Sequence, residues 1–406
     1  MRIAFLSVSD QLGGSEAMLL QIAVQLRRTR PSWEQHLILP GDGPLASLAR
    51  AAGMKTTVLP MPASLARLGE WGLRSGGPGK AGARLVRAAL ALPSYEREMR
   101  HALDVIAPDI VHANGFKAHV VSARTHDAAR ALVWHMHEYV AARPVTRSLV
   151  RRYADRCATI VTNSHSVAGD VRTIVGPAPD IRAIYNAVDL ERFTPNGPAA
   201  DLDALAGLRP PASTPVRVGL VATYSRWKGH DVFLRALAQI PRERDLRAYV
   251  IGGALYDTDR SQYSLPELRA LATSCGVGDR IGFTGFIAAS EQAMRALDIV
   301  VHASTTPEPF GLVIAEAMAC GRAVVTSAAG GSAELVRDGH DVLTHVPGDA
   351  DTLARAIDAL AADRSRRALL GTAARRTAVE RFDARRLGDE FAAVYEAARQ
   401  GALAHR

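Results

Sequence analysis

Short apolar, β-branched runs recur along this chain, and most are followed by a stretch with helical periodicity. Runs at 2–8, 35–39, 55–59, 109–112, 131–135 and 159–162 alternate with helical patterns such as 15–28 and a long one ending near 106. Over 189–215 the periodicity lapses into Pro, Gly, Asp and Ala. The alternation then restarts with strand-like runs at 216–222, 247–252, 280–285, 298–303, 323–326 and 342–346. Helical patterns at 230–239, 265–274, 290–297 and 312–319 lie between them, and three more close the chain at 349–362, 364–381 and 384–399. Such alternation predicts α/β architecture with parallel, doubly wound sheets and ligands at the carboxyl ends of the strands. At 406 residues the chain exceeds one ordinary core and suits two such domains. The expected organisation is 1–190, a linker at 191–215, a second domain at 216–382, and a terminal helix at 383–406.

An apolar fraction of 48% supports well-buried cores. Cys157, Cys275 and Cys320 are scattered, odd in number and without metal-ligand spacing, which fits a reducing cytoplasm. The chain enters a strand-like run at once and meets Asp10, so no signal peptide is expected. The apolar run 81–93 is interrupted by Arg84 and Arg87 and is too short to span a bilayer. A net charge of +8 implies anionic partners. Without aromatic-interleaved basic strands or a DNA-reading motif, nucleic acid is the weakest candidate. Residues 67–100 carry seven Lys/Arg against three Glu. Peripheral contact with an anionic membrane and plain solvated helix faces both stay open for this segment.

The stretch Glu308-Pro-Phe-Gly-Leu-Val-Ile-Ala-Glu316 follows one of the buried strands. It places Glu308 in a loop at the strand's carboxyl end, and Glu316 about one turn into the next helix. The amides of that helix start, from Phe310 through Gly311 and Leu312 to Val313, are unpaired donors at the positive end of a helix dipole. They suit an anion such as a diphosphate. Carboxylates beside them can accept hydrogen bonds from sugar hydroxyls. A phosphate cradle between hydroxyl acceptors is what a nucleotide-sugar site needs. The alternative is that both glutamates only support the helix.

This segment, continued by Gly321, Gly330-Gly331 and Glu334, resembles the donor-site signature of the family 4 retaining glycosyltransferases. The resemblance implies the GT-B fold, two facing Rossmann-like domains with a cleft between them. The first domain would serve the acceptor and the second the nucleotide sugar, and the last helix would cross back to the first domain. It also implies roles. Glu316 would hold the ribose, while Glu308 and the Phe310, Gly311 and Leu312 amides would hold the sugar.

Three other segments join this set. In Tyr224-Ser225-Arg226-Trp227-Lys228-Gly229, Lys228 and Arg226 would neutralise the departing diphosphate. The family's usual arginine position is Thr223 here, so Arg226 would substitute for it. An extended loop would put Arg226 and Lys228 on one side and Trp227 on the other. In Gly13-Gly14-Ser15-Glu16, the glycines admit a close ligand and the helix start favours an anion, although a tight turn capped by Ser15 has the same composition. By resemblance Gly14 would offer its amide and Glu16 would face the acceptor. In Trp134-His135-Met136-His137-Glu138, His-x-His suggests a metal but lacks an evident third ligand. The resemblance instead makes His137 an acceptor-side catalytic residue. His112 is similarly placed, and Asn163-Ser164 and Asn186-Ala187-Val188-Asp189 look structural. Asp257-Thr258-Asp259 is a second metal-type motif, and a metal there is disfavoured because basic side chains and helix ends already supply positive charge.

The resulting expectation is a metal-independent retaining glycosyltransferase of the hexosyltransferase type, without cofactor. It would act in bacterial polysaccharide or glycoconjugate synthesis in the cytoplasm or at the inner membrane face. Its partners would be a nucleoside-diphosphate sugar and a saccharide or lipid-linked saccharide acceptor. A non-catalytic sugar-nucleotide-binding subunit, or an epimerase or phosphorylase on the same scaffold, is the alternative.

Overall fold

The computed structural model describes residues 1–66, 77–177, 179–254 and 261–404. They form two compact units, Met1–Asn186 with Ala384–Arg406, and Ala187–Asp383.

The first unit is built on seven strands: β1 (Arg2–Ser7), β2 (Glu34–Leu39), β3 (Lys55–Val58), β4 (Ile110–Asn114), β5 (Ala131–Met136), β6 (Thr159–Thr162) and β7 (Asp180–Ala183). They lie in the order β3-β2-β1-β4-β5-β6-β7, and every pairing is parallel. The central strands β1, β4 and β5 are buried almost throughout, as strands covered on both faces must be. Leu6, Val111, Leu132, Trp134 and Ile160 share a core with Met99 and Leu103 from helix Gly77–Ile106. Strand β7 was not legible in the sequence. Asp-Ile-Arg-Ala is a short, largely polar edge strand without an apolar run.

Helix Arg386–Ala404 belongs to this first unit, where it packs on helix Gly14–Thr29 and against β5. Phe391 and Tyr395 are buried, and the Tyr395 hydroxyl meets His112 Nδ1 at 2.8 Å. Arg386 donates to the carbonyls of Tyr185 and Asn186.

The second unit holds β8 (Val216–Val221), β9 (Leu246–Ile251), β10 (Ile281–Gly285), β11 (Ile299–His302), β12 (Ala323–Thr326) and β13 (Leu343–Thr344). Their order is β10-β9-β8-β11-β12-β13, again all parallel. In both sheets the order reverses once, between β1 and β4 and between β8 and β11. Loops at the carboxyl ends of those strand pairs diverge and leave room for a ligand.

Residues 191–215 are not a free linker. Leu202 is fully buried and opens the short helix Leu202–Leu205, which Asp201 caps through the Ala204 amide at 3.0 Å. Asp203, also buried, accepts from Arg217 at 3.0 Å, Arg247 at 2.7 Å and the Tyr249 hydroxyl at 2.8 Å. Its composition looks like a loop because the stretch is fastened through polar groups rather than through an apolar stripe.

Candidate functional site

A polar cluster in the second unit forms where β8 and β11 end. After β11 the chain turns through Ser304 to Glu308, whose amide donates to Ala329 O at 2.9 Å and ties the loop to the segment after β12. The Glu308 carboxylate is buried, and three donors converge on its Oε2: Lys228 Nζ at 2.8 Å, Ser304 Oγ at 2.9 Å and His302 Nε2 at 3.2 Å. Burial alone would raise the Glu308 carboxyl, but the nearby Lys228 and His302 hold it well below the usual carboxylate range.

Lys228 arrives from the turn after β8. Gly229, which follows it, has φ +73°, and a Cβ there would sit 1.9 Å from Ala303 O. Only glycine lets the Lys228 turn approach the end of β11 so closely. Residues Arg226–Lys228 form a single 3-10 turn, not the extended loop expected. Three residues per turn spread the side chains around the axis. Lys228 Nζ therefore lies 3.9 Å from the centroid of the Trp227 ring, a cation–π contact. Arg226 is exposed. Its guanidinium is 3.0 Å from Glu267 and 4.2 Å from the Tyr263 ring centroid. The expected pairing of Arg226 with Lys228 on one side, opposite Trp227, is thus replaced by separate partners for the two cations.

Helix Leu312–Ala319 begins at Gly311, whose φ of +93° and contact with Ile314 exclude a side chain (a Cβ would lie 2.8 Å from Ile314 Cδ1). No side chain caps this helix, leaving its first amides as donors toward a ligand. The Phe310 ring is buried against Phe382, so only its backbone is a candidate contact. Glu316 is the one charged residue of the helix. Loss of water around this half-buried carboxyl pushes its pKa up to about 7, against the pull of Arg192 and with a smaller push from Glu291. Arg192 and Glu291 pair with each other at 2.8 Å.

The first unit gathers its candidates at the ends of β1, β4 and β5. Helix Gly14–Thr29 starts from Gly13 without a side-chain cap. Gly14 is exposed, and no atom lies within 4 Å of a Cβ built on it. Ser15 does not cap the helix; its hydroxyl donates to the buried Glu16 at 2.9 Å. His137 Nε2 lies 2.7 Å from Asn114 Oδ1, and Asn114 Nδ2 donates to Ser15 O at 3.3 Å. Asn114 therefore links His137 to the first turn of the helix that carries Gly14 and Glu16. Burial, with a smaller effect of the neighbouring His119, lowers the His137 pKa to about 3, so its imidazole is neutral. His135 is buried with both ring nitrogens unpartnered. Ser164 caps helix His165–Val175 through the Val167 amide at 3.1 Å, a structural task.

Among the described residues no group of three or more His, Cys, Asp or Glu is placed to hold a metal. Asp257 and Asp259 lie outside the described residues. Sequence reasoning did not single out Asn114, His302, Ser304, Thr326 or Arg192. For His302 a signal existed, because a lone imidazole in an otherwise apolar strand must find partners.

A profile described as Glycosyltransferase Family 4 matches residues 12–192, and one described as Glycosyl transferases group 1 matches residues 210–377. The GDP-mannose-dependent alpha-(1-6)-phosphatidylinositol monomannoside mannosyltransferase of Mycobacterium tuberculosis is 34% identical over 274 residues, 64% of this chain and 68% of that protein. A D-inositol 3-phosphate glycosyltransferase from Xylanimonas cellulosilytica is 37% identical over 230 residues, 53% of this chain. That match spans only 51% of the Xylanimonas protein's length. Among solved structures, Anabaena HepE in complex with UDP and glucose superposes with a TM-score of 0.80 at 28% identity, over 98% of this chain and 100% of HepE. HepE has also been solved with UDP-glucose, with a TM-score of 0.78.

Proposed function

The chain belongs to the family 4 glycosyltransferases, and we propose that it moves a sugar, with retention of anomeric configuration, from a nucleoside-diphosphate sugar to a hydroxyl acceptor. The observation that carries this reading is the Lys228–Glu308 pair at the β8/β11 switch point, set beside an uncapped helix start and Glu316. The donor lies on the second unit in this account. Glu316 accepts from the ribose hydroxyls, and the Gly311 and Leu312 amides with Glu308 hold the sugar. Lys228 meets the diphosphate, joined by Arg226 once its guanidinium leaves Glu267. That exchange is cheap, because an exposed ion pair contributes about 1 kcal/mol at most.

The chemistry asks little else of the chain. The bond from the anomeric carbon to the diphosphate oxygen breaks, and the acceptor oxygen bonds to that carbon from the same face. The acceptor proton passes to the departing phosphate oxygen. Charge grows on the diphosphate during this step, so preorganised cations and amides stabilise the transition state more than the ground state. On the first unit, neutral His137, oriented by Asn114, and Glu16 with the Gly14 amide position the acceptor.

HepE was solved with UDP-glucose and the mycobacterial relative is GDP-mannose-dependent. These two compounds are therefore the donors to try first. Acceptors of saccharide or lipid-linked saccharide type, in bacterial polysaccharide or glycoconjugate synthesis on the cytoplasmic side of the membrane, fit this reading. No helix among the described residues is long and apolar enough to cross a membrane. Peripheral contact is supported by Val86 and Leu90, 59% and 76% exposed beside exposed Arg87 on helix Gly77–Ile106. The intact set of Lys228, Glu308 and Glu316 disfavours a non-catalytic partner subunit.

Release of nucleoside diphosphate from UDP-glucose and GDP-mannose, followed with a panel of saccharide acceptors, tests the proposal. Acceptor-stimulated release supports it. A protein that binds these donors yet releases nothing with any acceptor would favour the non-catalytic subunit.

A further inference from the structure

Glu308 is held from two sides. Lys228 approaches from the β8 loop, while His302 and Ser304 belong to the end of its own strand. His302 is buried, with Nε2 3.0 Å from Ser304 Oγ as well as 3.2 Å from Glu308 Oε2. Its Nδ1 lies 3.0 Å from Thr326 Oγ1 and 3.4 Å from Ser327 Oγ. His302 and Thr326 are register partners across the parallel pair β11 and β12.

The hydrogen-bond roles follow from the carboxylate, which can only accept. Ser304 O–H and Lys228 N–H point at Oε2, so the Nε2 side of His302 must also carry its proton to face Ser304 and Glu308. Nδ1 faces the Thr326 hydroxyl, which can donate or accept as the ring requires. Both faces of the ring are satisfied, and its orientation is fixed by two adjacent strand ends. The remaining β11 residues, Ile299, Val300 and Val301, are apolar. An imidazole buried beside them costs free energy unless it is bonded in this way.

Lys228 is a single point charge with two anions to serve once a donor binds. As it turns toward the diphosphate, Glu308 loses part of its compensation in a buried place. We propose that His302 is a positioning residue for sugar transfer, one that keeps the Glu308 carboxylate ionised and in one rotamer when Lys228 engages the donor. This rests on the reading of Glu308 as the sugar contact.

Three substitutions separate positioning from mere packing. His302→Gln retains an amide donor at the reach of Nε2. His302→Asn retains a polar group only at the reach of Nδ1, and His302→Ala retains neither. Turnover of UDP-glucose or GDP-mannose should fall at least about tenfold in the Ala and Asn variants, the range expected for losing one hydrogen bond to a charged group. His302→Gln should restore most of it. The acid limb of kcat/KM should move to higher pH in His302→Ala, because the carboxylate loses a donor that favours its ionised form. Affinity for UDP and GDP alone should stay unchanged. Equal activity of the Gln and Asn variants, or loss of UDP and GDP affinity in step with turnover, would overturn the proposal. A crystal structure of His302→Asn supplies an independent arm. A displaced Glu308 carboxylate supports positioning, and one still seated on Ser304 and Lys228 in its original rotamer contradicts it. If wild type bound neither sugar nucleotide, the donor reading would fail on its own, while the Glu308 rotamer would still decide the role of His302.

Discussion

Lys228 Nζ and Glu308 Oε2 stand 2.8 Å apart although 80 residues separate them in the chain. Both side chains are largely buried, at 18% and 11% exposure. A pair so placed is costly to break from one side, because the other charge stays behind. Lys228→Ala should therefore lower stability by about 3 kcal/mol in urea unfolding. The double variant Lys228→Met/Glu308→Gln should recover much of that loss, with no recovery of turnover. A Lys228→Ala protein as stable as wild type would show that the pair is not formed in solution.

If Glu316 holds the ribose, nucleotide binding should depend on pH near neutrality. Its carboxyl is pushed up to about 7 by burial, and an ionised carboxylate is the stronger acceptor for ribose hydroxyls. Affinity for UDP or GDP should rise as pH increases through about 7, and the rise should vanish in Glu316→Gln. Arg192 favours the ionised form, so Arg192→Ala should move the transition upward. Titration calorimetry across the neutral range checks this, and a profile identical in wild type and Glu316→Gln would remove the ribose assignment.

Arg226 is held by Glu267 and Tyr263 rather than beside Lys228. If it supplies the second cation on donor binding, Arg226→Ala should reduce kcat/KM for the donor, by less than Lys228→Ala does. Glu267→Gln should not reduce it, because that change frees the guanidinium. Unchanged kinetic constants in Arg226→Ala would leave Lys228 as the sole cation of the account.

Much of this was legible in the sequence, and for definite reasons. Runs such as Ile299–His302 and Ala323–Thr326 are continuous and apolar, which marks central parallel strands. The spacing of Glu308 and Glu316 fixes one on a loop and one on a helix. What escaped depended on tertiary contact. The turn type of Arg226–Lys228 decides which way three side chains point, and no local propensity separates a 3-10 turn from an extended loop there. Asp203 looked like a loop residue because its partners, Arg217, Arg247 and Tyr249, lie on strands distant in sequence. Asn114 orients His137 only because β4 and β5 are neighbours, a fact of sheet order rather than of spacing.

The first unit should be acid-labile. His112, His119 and His135 are buried beside one another, and burial lowers them to about 3, to about 4 and well below the ordinary value respectively. Unfolding frees each to titrate at its ordinary value of 6.5. Their contribution is therefore complete above that pH and is lost as pH falls toward the folded values. Each histidine removes about 1.4 kcal/mol per pH unit in this window, so these three with His137, lowered to about 3, together remove about 5.5. Acid unfolding followed by circular dichroism should show this slope below pH 6.5. His135→Leu, which deletes two unpartnered buried nitrogens, should flatten the slope by about a quarter. A slope unaffected by that substitution would mean that another group governs acid unfolding.

We infer that the second unit binds a nucleoside-diphosphate sugar through Lys228, Glu308, Glu316 and a helix start, without a metal. Calorimetric titration of UDP-glucose and GDP-mannose into EDTA-treated protein tests it most directly. The account predicts binding of at least one of the two, loosened by on the order of 1.5–3 kcal/mol in Glu316→Ala through loss of a charged hydrogen-bond partner. Binding that appears only when manganese is added would contradict it and point to Asp257 and Asp259.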